Sequence, residues 1–194
     1  MEHIIHGKKG KKTHTHIKRV DILRTKEIQE TLAKAGEIGT WLQCLIALAW
    51  AFGKRISEIL KLQAEDIRVN DKFLYVRFFV SKKRTRKEEP VPKPYLKRIV
   101  LTHPSVPYIL NHWKEVKTGP LFHVSRNLAW WYLKKANKQA WWHLFRHSLA
   151  TEMAEHGADI LELVNWFDWD RSDTALDYIK RGTKLTERLS ERAW

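Results

Sequence analysis

The sequence is poor in the residues that build cross-linked or membrane-spanning proteins. It has one cysteine, Cys44, so an internal disulfide or a cysteine-ligated zinc site is excluded. Because Cys44 lies in an apolar run, we predict that it is a buried small hydrophobe. The longest apolar run, residues 41–52, is too short to cross a bilayer and contains Gln43. The first ten residues lack the apolar centre of a signal peptide. Together these features predict a soluble, cytoplasmic protein.

Acidic residues are also scarce, with 22 Asp and Glu against 36 Lys and Arg, a net charge of +14 and a pI of about 9.9. The excess is concentrated: residues 1–20 hold six basic residues and one acidic residue, and residues 72–98 hold ten and two. A focused basic field suits a polyanionic partner, most simply nucleic acid. The alternative is a solvated, lysine-rich surface of the kind common in heat-stable proteins.

Hydrophobic residues make up 43% of the 194 residues, which predicts a folded chain with one well-cored domain. Residues 1–19 have no periodicity and are predicted to be a flexible basic arm. The arm's lysines would lie along phosphates; they are Lys8, Lys9, Lys11 and Lys12. Its scattered histidines lack a partner set, so we expect no metal site there.

The rest of the chain has mainly helical patterns. We predict helices at residues 25–35 with Thr25 as N-cap, 39–52, 55–62 after the break at Gly53, 106–114, 124–137, 142–156 ended by Gly157, and 160–167. The aromatic and β-branched residues 72–80 predict a strand, 81–87 a charged turn and 88–92 a second, edge-like strand. The predicted fold class is mainly α with a small antiparallel β-sheet (α+β).

The second half of the chain contains four residues whose side chains can bind or attack a phosphate group. His143 and Arg146 stand one helical turn apart and project from one face. Trp169 and Tyr178 follow, and add an indole donor and a phenol. Upstream, Arg55 is followed three residues later by Glu58, a carboxylate that can orient the guanidinium; the alternative is an ordinary surface pair. These groups suit an enzyme that attacks a phosphodiester with a tyrosine oxygen.

The order and spacing of these residues resemble the tyrosine recombinase (phage integrase) family. That family has His-x-x-Arg, then His or Trp, then a nucleophilic Tyr. Here Trp169 lies 23 residues after Arg146, and Tyr178 lies nine residues after Trp169, as in Xer-type members. Residues 53–58 resemble the family's first arginine box. The resemblance covers roughly residues 20–182 and implies the DNA breaking-rejoining fold.

The resemblance also implies roles for single residues. Arg55 and Arg146 would clamp the phosphate, and His143 would hydrogen-bond a phosphate oxygen or take the phenolic proton. Trp169 would donate an N–H and pack. Tyr178 would attack phosphorus to form a 3′-phosphotyrosine and release a 5′-hydroxyl.

A family β-hairpin is implied at residues 72–92, with Lys82 as the general acid and Lys83 as the second choice. Neighbouring basic residues of the hairpin would contact DNA; they are Lys83, Arg84, Arg86 and Lys87. No cofactor or metal is implied, since the arginines carry the charge that Mg²⁺ supplies in other phosphoryl-transfer enzymes.

The implied function is site-specific DNA recombination or integration, as in a mobile element. The alternatives are a DNA-binding regulator that does not cleave and a relaxing enzyme similar to type IB topoisomerases. Double-stranded DNA is the implied partner, with four protomers on two duplexes and a monomer or dimer without DNA. We expect an arm (1–19), a catalytic domain (20–182) and a helical tail (183–194). The family's usual N-terminal core-binding domain is not expected in this chain, so it is a minimal recombinase, a fragment, or a relative with another task.

Overall fold

The computed structural model describes residues 22–79 and 94–181. Within these ranges the chain forms eight helices, three strands and a 3-10 turn at Ala64–Asp66. The helices are α1 (Thr25–Gly36), α2 (Thr40–Phe52), α3 (Ile56–Ile59), α4 (Val106–Val116), α5 (Arg126–Ala136), α6 (Trp142–Glu155), α7 (Ile160–Phe167) and α8 (Asp173–Arg181). The strands are β1 (Ile67–Val69), β2 (Phe73–Phe78) and β3 (Tyr95–Val100). The predicted fold class, helical with a small antiparallel sheet, is confirmed.

The apolar helix α2 lies at the centre of the main core, as its composition predicts. Ten of its 13 residues are buried, and Cys44 is among them. Helices α1, α4, α5 and α6 pack around it. Gly53 ends α2 in the left-handed conformation, with φ of 58°. A Cβ at Gly53 would lie 2.4 Å from a ring carbon of Phe167, so the close approach of these two segments requires glycine.

The small sheet has the strand order β1-β2-β3, with both pairs antiparallel. Strand β2 confirms the strand predicted at residues 72–80, but β1 and β3 were not predicted. Tyr95–Val100 pairs with β2 from Phe73↔Val100 to Phe78↔Tyr95. The predicted strand at 88–92 lies outside the described residues. So do the hairpin residues Lys82, Lys83, Arg84, Arg86 and Lys87, the arm with Lys8, Lys9, Lys11 and Lys12, and the tail at 183–194.

Most helices lie within two residues of the predicted bounds, and the starts or ends of α1 and α3 have a clear structural reason. Helix α1 begins at Thr25, not after it; Arg24 precedes the first turn, and its backbone N–H donates to the Glu27 carboxylate at 2.8 Å. Helix α3 covers only Ile56–Ile59, because Gln63 leaves the helical path to form an isolated bridge with Pro120. Helix α7 has the predicted bounds, and Gly157 follows the α6 C-cap with φ of 99°, as expected for the end of that helix.

A second, smaller core joins the last three helices. It is formed by the buried side chains Leu149, Ala150, Ala154, Leu163, Phe167 and Ala175. Helix α6 contributes to both cores, and the candidate site residues His143 and Arg146 lie on it. In the described part of the chain, no helix is both long and apolar enough to cross a membrane.

Candidate active site

Arg146 connects two backbone segments that are far apart in sequence. Its side chain is buried, and Nη1 donates to the Gly53 carbonyl at 2.7 Å while Nη2 donates to the Phe167 carbonyl at 2.7 Å. Burial, together with the nearby Arg55 charge, lowers the pKa of Arg146 to about 10, so it remains protonated at neutral pH. The guanidinium therefore holds the loop after α2 against the end of α7. It has five N–H donors, so it retains donors for a phosphate oxygen.

Arg55 lies in the same loop, directly before α3, and is held by the Glu58 carboxylate. The Glu58 side chain accepts from the Arg55 backbone N–H at 3.0 Å and from Arg55 Nη1 at 3.1 Å. Glu58 is 2% exposed and Arg55 35% exposed. A buried carboxylate that binds one residue at two points fixes the direction of its side chain. The contact is thus not an ordinary surface pair, and the guanidinium keeps an open side toward solvent.

Lys54, between Gly53 and Arg55, is a buried cation that the sequence did not single out. Its Nζ donates to the Trp166 carbonyl at 2.9 Å and to the Asp168 carboxylate, and its side chain is 1% exposed. Burial lowers the pKa of Lys54 to about 8, although the Asp168 charge partly opposes this shift. The backbone of Asp168 is in the left-handed conformation, with φ of 52°. Lys54 thereby anchors the segment that leads into Trp169.

His143 lies on the exposed side of α6, one turn before Arg146. Loss of solvent around its ring, followed by the charges of His147, Arg146 and Arg55, lowers the pKa of His143 to about 4. The same Arg55 charge also lowers the pKa of Arg146. Arg146 binds the Gly53 carbonyl two residues before Arg55, and His143 lies one helical turn away on α6, so the three residues belong to one region of the fold. At neutral pH His143 is an uncharged imidazole that can donate or accept one hydrogen bond.

Tyr178, on α8, lies among aromatic rings at the edge of this site. Its ring stacks on Trp169 with centroids 5.4 Å apart and planes 6° apart, and Trp169 stacks in turn on Phe167 at 4.8 Å. The Arg146 guanidinium carbon lies 5.5 Å from the centre of the Trp169 ring. Tyr178 and His147 Nδ1 are hydrogen-bonded, and their ring centroids are 5.9 Å apart. The phenol is therefore held between an indole and an imidazole.

Five of the six predicted catalytic residues thus meet in the described part of the chain. They are Arg55, His143, Arg146, Trp169 and Tyr178, and the predicted supporting residue Glu58 holds one of them. The sixth, Lys82, lies outside the described residues, as does Lys83. Sequence reasoning missed Lys54, His147 and Asp168. His147 directly follows Arg146 and lies four residues after His143, and that spacing could have placed both imidazoles on one helical face.

The chain is similar to known proteins in both sequence and structure. The family model described as the phage integrase family matches residues 21–184. No curated protein matches. The fold is similar to a crystal structure titled XerH site-specific recombinase bound to difH substrate, at 15% identity and a TM-score of 0.64. That match covers 88% of this chain and 52% of the XerH chain. This chain therefore spans about half the length of XerH.

Two further solved structures share the fold. The catalytic domain of bacteriophage HP1 integrase is 18% identical, with a TM-score of 0.60 and coverage of 88% of this chain and 93% of that one. The Tn1549 transposon integrase in complex with transposon right end DNA is 14% identical, with a TM-score of 0.59 and coverage of 89% and 65%. The fold agrees with the family model, and the model spans most of the chain: the protein belongs to the phage integrase family of tyrosine recombinases.

Proposed function

We propose that the protein is a DNA strand transferase that cleaves and rejoins double-stranded DNA through a 3′-phosphotyrosine intermediate. The observation that carries the proposal is the grouping of Arg146 with the stacked rings of Trp169 and Tyr178. His143 lies one helical turn from Arg146, and Arg55 follows the loop that Arg146 binds at Gly53. Phosphoryl transfer needs positive charge at the non-bridging oxygens and a positioned nucleophile. The two guanidinium groups supply the first, and Tyr178 is the nucleophile.

The geometry suits a two-part role for the arginines. Arg55 is about one-third exposed and is held in place by Glu58, so it can receive a phosphate oxygen from solvent. Arg146 lies deeper, and its two carbonyl contacts give it a fixed direction. Rigid, charged donors of this kind cost little reorganisation when charge develops on the phosphate.

The leaving 5′-oxygen needs a proton, and we assign that role to Lys82, with Lys83 as the alternative. Trp169 cannot carry a proton, so its contribution is the ring stack and its indole N–H. Double-stranded DNA as partner agrees with the transposon-end complex of the similar Tn1549 integrase. It also agrees with the net charge of +14. Assembly as a tetramer on two duplexes is part of the same proposal.

The test is covalent capture. The chain is incubated with a pool of nicked, sequence-randomised duplexes, from which the cleaved strand cannot be religated, and the products are separated on a denaturing gel. Wild type should give a protein–DNA adduct and Tyr178→Phe should not. Tyr132→Phe is the matched control, since Tyr132 packs between Trp41 and Trp131. An adduct with Tyr178→Phe would show another nucleophile, and DNA binding by wild type without any adduct would favour a regulator that does not cleave.

A further inference from the structure

One hydrogen-bond partner of the Tyr178 hydroxyl is an imidazole outside the predicted catalytic set. His147 Nδ1 faces the Tyr178 hydroxyl, while His143 meets His147 edge to face with ring centroids 4.8 Å apart. Both histidines lie on α6, and His147 is the half-buried one. His147 therefore stands between His143 and the phenol. In this arrangement the imidazole that touches the nucleophilic oxygen is His147.

The neighbouring groups described above are poor proton acceptors. Trp169, which stacks on the Tyr178 ring, has a donor but no acceptor nitrogen. Arg146 and Arg55 are cations. Desolvation and its positive neighbours make His143 a weak base, with its pKa lowered to about 4. A phenol of ordinary pKa near 10 needs an acceptor to attack at neutral pH.

We propose that His147, and not His143, accepts the Tyr178 proton during strand cleavage. This inference rests on the proposed function and deepens it. As the phenolic oxygen forms its bond to phosphorus, its proton passes to His147 Nδ1. The bond from phosphorus to the 5′-oxygen breaks, its electron pair leaves on that oxygen, and the oxygen takes a proton from a separate acid. Rejoining runs the same transfers in reverse and returns the proton to Tyr178.

The experiment measures single-turnover adduct formation with His147→Asn and His147→Ala. Asparagine keeps a hydrogen-bond acceptor close to the position of Nδ1 but is not a base, so it separates positioning from proton transfer. We expect both variants to cleave about 100-fold or more slowly than wild type, since general base catalysis contributes on that scale. DNA affinity should change much less than the cleavage rate, because the proposed proton transfer takes place after binding. His156→Asn, an exposed histidine at the end of α6, is the control and should cleave like wild type.

Two rescues test the proton itself. Imidazole in the buffer should accelerate His147→Ala, and fluorotyrosine at position 178, a more acidic phenol, should accelerate both His147 variants. A third experiment keeps His147, so it remains informative even if the His147 variants do not fold. Fluorotyrosine is placed at position 178 in His143→Gln, and this variant should stay slow.

The inference is overturned if His147→Asn cleaves like wild type, if either variant cleaves faster, or if fluorotyrosine rescues His143→Gln. The wild-type protein, measured in parallel, shows whether only the role of His147 is wrong or the proposed function as well. If wild type forms an adduct and Tyr178→Phe does not, the function stands whatever His147 does.

Discussion

Lys54 and Asp168 form an ion pair between the residue before Arg55 and the residue before Trp169. The lysine is almost completely enclosed, whereas the Asp168 side chain is 26% exposed and also faces Lys97 at 3.5 Å. The pair lies beside the two carbonyl contacts of Arg146, which join the same two segments at Gly53 and Phe167. Lys54 and Arg146 therefore both connect the loop at Gly53 to the segment between α7 and α8, the helix that carries Tyr178.

Removal of Asp168 should lower the free energy of unfolding more than removal of Lys54. Asp168→Asn leaves a buried cation without its counter-ion and should lower the free energy of unfolding by about 3 kcal/mol. Lys54→Met should cost less, because the remaining carboxylate reaches solvent and Lys97. The double variant should be near neutral relative to wild type, since a hydrophobic replacement of a buried pair avoids its desolvation cost.

Urea unfolding of the four proteins gives the coupling energy of the pair. The exposed pair Arg171–Asp173 is the matched control, and its removal should cost less than about 1 kcal/mol. Equal, additive losses for Lys54→Met and Asp168→Asn would contradict the predicted coupling.

The lowered pKa of Lys54 predicts an unusual pH dependence of stability. Its pKa is about 8 in the folded chain against an ordinary value of 10.5, so between these pH values the unfolded chain binds more protons. Stability contributed by this group should therefore be lowest below pH 8 and rise as pH increases from about 8 to 10.5, by at most about 1.4 kcal/mol per pH unit. The difference in unfolding free energy between wild type and Lys54→Met, measured across this range, isolates the effect. A difference that is flat with pH would show that Lys54 titrates normally.

The features of the fold and of the candidate site that could be predicted from the sequence are those that depend on residues close together in the chain. Helices α2 and α7 were predicted closely because their apolar patterns are local and strong. Strand β3 was missed because its sequence, Tyr95–Val100, mixes basic and apolar residues, and only pairing with β2 gives it order. The candidate catalytic residues were predicted from motif spacing alone, and the structure brings five of the six together in the described part of the chain.

The roles of Lys54 and His147 could not be found in that way. Lys54 reads as a polar loop residue, and its partner Asp168 lies 114 positions away. His147 contacts Tyr178 across 31 positions, through the packing of α8 on α6. Burial and pairing at such separations follow from the tertiary fold, and neither helical periodicity nor a local motif encodes them.

His143 should be an uncharged imidazole down to low pH. With its pKa lowered from 6.5 to about 4, the folded chain stays unprotonated at His143 while the unfolded chain takes up a proton. Stability from this group should be fully present above pH 6.5 and fall as pH decreases toward 4. NMR titration of the imidazole carbons, assigned through His143→Gln, measures the midpoint directly. A midpoint at or above 6 would mean that the positive neighbours do not act on His143.

Glu58→Gln should weaken catalysis more than DNA binding. The amide keeps the size of the carboxylate but loses the charge. In one of the two contacts to Arg55, the amide NH₂ group would face an N–H donor of Arg55. We expect adduct formation to slow by about tenfold, equivalent to about 1.4 kcal/mol, because Arg55 is less well oriented. Glu30→Gln, on the exposed face of α1, is the matched control. Unchanged cleavage by Glu58→Gln would remove Glu58 from the positioning of Arg55.

Deleting residues 1–19 should weaken DNA binding and make it less sensitive to salt. The segment carries six Lys and Arg residues, and each phosphate contact contributes about 0.9 to the slope of log affinity against log salt concentration. The slope should therefore become shallower by about 1 to 5, and affinity should fall most at low salt. Fluorescence anisotropy from 50 to 300 mM salt, roughly the range in which such losses are large, measures both quantities. A full-length variant with the six basic residues replaced by glutamine separates charge from chain length, and it should behave like the deletion. Equal affinity and slope for wild type and both variants would show that the segment does not contact phosphates.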